Sequence, residues 1–190
     1  MQPQLRALFF DFDGVIVDSV PTKTGAFRTL FKDYPLGIIE KILNHHRQHG
    51  GISRVEKIAN AHTKYIGLPL TGEELAQWAE RYSKLVVDSV ISANWIKGAK
   101  EFLDVVHNSS LESFVISGTP ETELNYILER RGISEHFHER LGSPVKKPNH
   151  IRKLIEKYHL KPWECLFIGD AYTDYDAAME TGLHFIGIQG

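Results

Sequence analysis

Leu5-Arg6-Ala7-Leu8-Phe9-Phe10-Asp11-Phe12-Asp13-Gly14-Val15 is the stretch whose reading decides the fold. The apolar run from Leu5 to Phe10 reads as a strand buried on both faces, as in parallel sheets. Two carboxylates follow at its carboxyl end, where open α/β sheets bind their ligands. Desolvated acids held close together repel, so a cation or a shared proton must compensate them. The junction therefore points to a magnesium site or an acid–base site. Read alone, Asp-Gly would be no more than a turn.

Outward from this junction the same pattern recurs. Phe114-Val115-Ile116 runs into Ser117, Cys165 to Ile168 runs into Gly169-Asp170, and His184 to Ile188 forms a last strand-like run. A short run, Glu139 to Gly142, lies upstream of Lys147-Pro148. Helical stripes separate the later runs: Leu124, Ile127 and Leu128 between Pro120 and Gly132, then Ile151, Leu154, Ile155 and Tyr158 after Pro148. A third helix follows Asp170, with Ala177 and Ala178, and stops at Gly182. Strands alternating with helices predict a doubly wound, Rossmann-like parallel sheet, an α/β fold.

Residues 19–94 differ, with helical periods and no convincing strand. Phe27, Leu30 and Phe31 mark one helix; Ile38, Ile39, Ile42 and Leu43 a second; Val55, Ile58, Ala59 and His62 a third; Leu75, Trp78, Ala79 and Tyr82 a fourth. The expectation is an inserted α-helical cap domain over 19–94, with 1–18 and 95–190 forming the α/β core. Trp95, at the return from the insert, reads as hinge packing. His45, His46 and His49 read as a solvated face, since no acid accompanies them.

Composition bounds the function. The chain has 190 residues, a formal net charge of −2 and a single cysteine, Cys165. No basic footprint for nucleic acid is present, and acids interrupt every stretch long enough to span a membrane. One cysteine makes neither an internal disulfide nor a multi-cysteine zinc site, and Cys165 reads as a small buried hydrophobe. The amino terminus shows no signal-peptide pattern, so a cytoplasmic protein acting on a small molecule is expected. The oligomeric state is not legible.

On the open-sheet rule Asp11, Asp13, Ser117 and Asp170 converge on one crevice, with Lys147 at its rim. Carboxylates, a hydroxyl and a lysine suit a hard oxygen-bound cation and a phosphoryl group. Lys146 competes with Lys147 for that place, and Asp174 is either a ligand-orienting acid or a plain first-turn acid. Ser53-Arg54-Val55-Glu56 reads as a capping box.

Asp11-Phe12-Asp13-Gly14-Val15, Ser117-Gly118-Thr119, Lys147-Pro148 and Gly169-Asp170-Ala171-Tyr172-Thr173-Asp174 resemble, in order, the four motifs of the haloacid dehalogenase-like superfamily. The helical insert resembles the cap of its phosphoglycolate phosphatase and β-phosphoglucomutase branch. The resemblance implies Asp11 as nucleophile, Asp13 as general acid and base, Ser117 and Lys147 as phosphoryl-binding groups, and Gly118 and Thr119 beside the substrate. It implies Mg²⁺ on Asp11, Asp13 (through its carbonyl) and Asp170, with Asp174 orienting ligands or Lys147 from behind. Gly51-Ile52-Ser53-Arg54 is similar to the cap loop by which that branch presents an arginine, so Arg54 is expected to meet a substrate anion.

The reaction implied is magnesium-dependent hydrolysis of a small phosphorylated metabolite through an aspartyl-phosphate. A sugar phosphomutase is the alternative within the same chemistry. The mutase branch has a histidine shortly after its first motif where this chain has Lys23. A non-catalytic phosphate-sensing domain is the alternative from another class. The resemblance also implies a further strand and helix after His184 to Ile188.

Overall fold

The structure, a computed structural model, describes residues 4–189. Five strands form one parallel sheet: β1 (Ala7–Phe10), β2 (Glu112–Pro120), β3 (Glu139–Ser143), β4 (Cys165–Gly169) and β5 (His184–Gly187). Their spatial order is β3-β2-β1-β4-β5. Central β1 is buried at all four residues, which explains its unbroken apolar run. Strand order reverses at β1, and such a switch point opens a crevice at the carboxyl ends.

Helices α1 (Val20–Leu30), α2 (Leu36–Gln48), α3 (Arg54–Asn60) and α4 (Gly72–Ile91) all fall between β1 and β2, followed by α5 (Ala99–His107). Later come α6 (Glu121–Arg130), α7 (Lys147–Lys157) and α8 (Tyr172–Thr181). Side chains alternate across the strand, so Leu8 and Phe10 join the core under α5 and α6. Ala7 and Phe9 join the core under α7 and α8. The Rossmann-like α/β expectation holds.

The helical insert packs its own apolar faces around Phe27, Phe31, Ile42 and Tyr82. Trp95 bridges to Val17 where the chain returns. The Arg131 guanidinium lies 4.7 Å from the Trp95 ring and donates to the carbonyls of Val90, Ile91 and Ala93. One cation thus closes the end of α4 and the return together.

Four local readings change. Helix α5 has an inward Leu103 and Val106 and was not apparent from the sequence pattern. β2 continues through Ser117-Gly118-Thr119 to Pro120, with a register shift after Ile116, so the second motif is strand rather than loop. Val55 is 40% exposed, and Arg54 and Lys57 take the inward face of α3 instead. His46 is buried, contrary to the solvated face expected, and its ring lies 4.4 Å from that of Phe27.

Gly142 marks the closest approach in the sheet. A Cβ there would lie 2.5 Å from both Thr119 O and Glu121 N, which are backbone atoms that cannot yield cheaply. Gly142→Ala is expected to cost about 1–3 kcal/mol, as overpacking does, read as a lowered urea midpoint.

Candidate active site

The carboxyl ends of β1, β2 and β4 and the start of α7 bring the four motifs together. Asp11 follows β1 and is 3% exposed. Lys147, the first residue of α7, is buried beside it, with Nζ 2.8 Å from Asp11 Oδ1 and 2.5 Å from Asp174 Oδ1. Lys146 is exposed, so Lys147 alone enters the crevice. Asp174 is fully buried in the first turn of α8 and also accepts the backbone N–H groups of Asp170 (3.2 Å) and Ala171 (3.1 Å). It therefore both ties down the fourth motif and holds the lysine.

Asp13 points elsewhere. Its carboxylate accepts from Ser19 Oγ at 2.6 Å, Lys23 Nζ at 2.5 Å and Thr119 Oγ1 at 3.3 Å. Ser117 Oγ stands 3.5 Å away and accepts the Thr119 N–H at 3.1 Å. Gly14, at φ +81°, turns the first loop sharply; a Cβ there would strike Asp170 Oδ2 at 2.2 Å. Only glycine lets that loop lie against Asp170.

The electrostatics follow from burial. Desolvation pushes Asp11 up to about 8 against the pull of Lys147, with Asp174, Asp170 and Asp13 adding repulsion. Asp170, at the mouth, is raised to about 6 by restricted solvation and by Asp174. Burial would also raise Asp13, but Lys23 and Ser19 override it and hold the carboxyl below its ordinary value. Lys147 loses to burial and gains more from Asp11 and Asp174, so its ammonium is held charged.

Carboxylate oxygens of Asp11, Asp170 and Asp174 lie within 4.8 Å of one another. Asp174 is already committed to Lys147 and two backbone donors, whereas Asp11 Oδ1 is buried without an aligned hydrogen bond. Its one ionic contact is the Lys147 ammonium, which Asp174 shares, so three carboxylates face a single lysine and the site fits a hard cation taking oxygen ligands. The Asp13 side chain is engaged with Ser19 and Lys23, so the carbonyl contribution expected of it is the one compatible with this arrangement.

A cavity of about 520 Å³ opens over these groups, with the insert forming its far wall. Thr173 Oγ1 donates to Gly50 O at 2.7 Å, and a Cβ on Gly118 would meet Gly51 O at 2.5 Å, so the insert loop rests directly on the core. Ser117 and Lys147 line an adjoining cavity of about 280 Å³ behind that contact. Arg54 lines the larger cavity, but its fork is bidentate to Glu123 of α6 and reaches Ser83 Oγ at 2.5 Å. Its charge is thus already matched. Lys57 and Glu123 did not stand out in the sequence, because neither belongs to a spaced motif, and Lys23 was marked only as standing where the mutase branch has a histidine. His46 did continue the Ile39, Ile42, Leu43 stripe of α2.

Fold and site together define a phosphoric monoester hydrolase. The chain belongs to the haloacid dehalogenase-like hydrolase family, whose pattern matches residues 8–188. The phosphoglycolate phosphatase of Vibrio vulnificus strain YJ016 is 27% identical over 195 residues, covering 98% of this chain and 85% of that protein. Solved structures share the fold. A predicted phosphoglycolate phosphatase from Haemophilus somnus 129PT superposes with a TM-score of 0.77 at 22% identity, covering 98% of this chain and 86% of that one. CbbY of Rhodobacter sphaeroides, solved with phosphate, gives 0.78 at 19% identity, with coverage of 98% and 87%. Among the described residues no helix is long and apolar enough to cross a membrane.

Lys147→Met leaves two buried carboxylates without their cation. The expected loss is about 3–5 kcal/mol in urea unfolding at pH 8. With the cation gone the Asp11 pKa, already raised by burial, rises further, so the loss shrinks as pH falls and the acid takes up its proton. A loss independent of pH would contradict this charge balance.

Proposed function

We propose that the protein is a magnesium-dependent phosphatase of small phosphorylated metabolites, working through an aspartyl-phosphate on Asp11. The observation that carries this is a single one. Buried Asp11 clusters with Asp170 and Asp174 around the single ammonium of Lys147, with the Asp13 carboxylate and the Ser117 and Thr119 hydroxyls close by. The curated relatives are phosphoglycolate phosphatases, which supports a small phosphorylated substrate. Lys23, rather than a histidine, beside Asp13 favours hydrolysis over mutase chemistry.

Asp11, Asp170 and the Asp13 carbonyl are the groups that would hold magnesium. When bound, the ion would neutralise the carboxylates and polarise phosphoryl oxygens. An Asp11 oxygen attacks phosphorus in line as the ester P–O bond breaks. Asp13 acts as general acid in its protonated form, giving that proton to the leaving oxygen, and then, as the carboxylate, takes one from the water that attacks the aspartyl-phosphate. Phosphate leaves and Asp11 is restored. Lys147, Ser117, Thr119 and the Gly118 backbone hold the phosphoryl oxygens, with the lysine offsetting developing negative charge. Asp174 keeps Lys147 aimed at Asp11. Arg54 shapes the cap side of the cavity while paired to Glu123. Helices α1–α4 serve as the cap that excludes water during transfer.

Asp11→Asn keeps the shape but removes the nucleophile, so magnesium-dependent release of phosphate from p-nitrophenyl phosphate should vanish, and EDTA should silence the unaltered protein. Turnover by Asp11→Asn, or turnover indifferent to EDTA, would refute the mechanism. Lys23→Met removes the main charge holding Asp13 ionised. The Asp13 pKa then rises, its acid form persists to higher pH, and the basic limb of the kcat/KM profile moves upward.

A further inference from the structure

Phe27, Tyr82 and Tyr172 are the Phe and Tyr residues that line the larger cavity. Two of them are committed to the fold. Phe27 and Tyr82 are buried, their ring centroids lie 4.6 Å apart, and both belong to the apolar core. The Tyr82 hydroxyl also donates to the Lys23 carbonyl at 3.2 Å.

Tyr172 is different. It is the first residue of α8 and is 83% exposed. Among the described residues its ring meets no other ring or cation and its hydroxyl bonds nothing, whereas Tyr175 packs edge-on against Phe185 at 5.6 Å. A single exposed ring needs no explanation, but this one stands at the opening of the catalytic cavity. Asp170 comes two residues before it. Ala171, between them, lies against the insert, since a Cβ on Gly50 would come within 2.9 Å of Ala171 Cβ. Tyr172 thus emerges where the sheet edge meets the insert loop.

A second uncovered apolar group stands beside Asp170. Val20 is 41% exposed and also lines the cavity. The point that a Gly14 Cβ would occupy lies 2.2 Å from Asp170 Oδ2 and 3.3 Å from Val20 Cγ2. The polar groups of the floor account for a phosphoryl group and an ion. They leave the hydrocarbon of the rim unexplained. In-line transfer to Asp11 sends the leaving oxygen away from Asp11, so the rest of the substrate fills the cavity beyond the phosphoryl site. The cavity, about 520 Å³, has the size of a small-molecule site. A flat ring there would cover the Tyr172 face and Val20, whereas a polar chain would leave both in water.

Resting on the phosphatase reading, we propose that Tyr172 is a specificity residue that stacks on a flat ring of the leaving group, with Val20 as a second apolar contact. The substrate is then a phosphomonoester whose alcohol part carries a planar ring, as a nucleoside or an aryl alcohol does.

Two pairs test this, each matched in its leaving group, a primary alcohol: adenosine 5′-monophosphate against ribose 5-phosphate, and benzyl phosphate against cyclohexylmethyl phosphate. The unaltered protein is expected to favour the flat-ring member of at least one pair by about 5- to 100-fold in kcat/KM, the worth of stacking a base on an aromatic side chain. A preference in the first pair alone identifies a nucleobase, and one in the second a bare aryl ring. Tyr172→Ala should erase most of the ratio while leaving the other member little affected, and Tyr172→Phe should keep it. A protein that turns over p-nitrophenyl phosphate but shows no preference in either pair, or accepts neither flat-ring member, overturns the assignment. So does a ratio that survives Tyr172→Ala, a Tyr172→Phe variant that loses it, or a Tyr172→Ala loss shared equally by both members, which marks a structural role. A protein that releases phosphate from none of these, p-nitrophenyl phosphate included, overturns the phosphatase reading itself.

Discussion

One buried ammonium stands between two buried carboxylates: Lys147 lies against both Asp11 and Asp174 at the carboxyl edge of the sheet. Taking each of these ions out of water costs several kcal/mol, so none is tolerable without the others. The arrangement ties the start of α7 to the ends of β1 and β4, and Asp174 also takes the two N–H groups that begin the fourth motif. A deficit of positive charge remains on the Asp11 side. That deficit is what a divalent ion would fill.

Charge on the two walls of the cavity is arranged in opposite senses. The core wall concentrates acids whose protonation is raised by burial, except Asp13, which Lys23 and Ser19 keep ionised. The insert wall carries Lys57 and Arg47 without carboxylates. Two acids two residues apart thus differ in pKa because they face different neighbours. A divalent ion beside Asp11 would bring its raised pKa down and leave it a carboxylate.

The insert meets the core through polar and apolar contacts together. Arg54 bridges α3 to Glu123 of α6, Thr173 holds the Gly50 carbonyl, and Gly118 admits Gly51 at a distance no side chain would allow. Phe27, Phe31, Tyr82 and Val90 of the insert belong to the same apolar cluster as Leu8, Phe10 and Leu124 of the sheet and α6.

Much of the fold, and the placement of the motif residues at the sheet edge, were legible from the chain, for a local reason. A strand buried on both faces must be apolar without interruption, and the polar residue that ends it lands at the sheet edge, so Asp11, Ser117 and Asp170 could be placed from neighbouring residues. Helix α5 and the extension of β2 through Thr119 were missed because their patterns are short or polar. Pairings between distant segments lay outside any local signal. Lys23 with Asp13 and Arg54 with Glu123 were decided by packing, since a charge shows its partner only when the chain has closed around it. Lys57 is the plainest case: only the tertiary structure buries it, on the α3 face that lines the cavity beside His46.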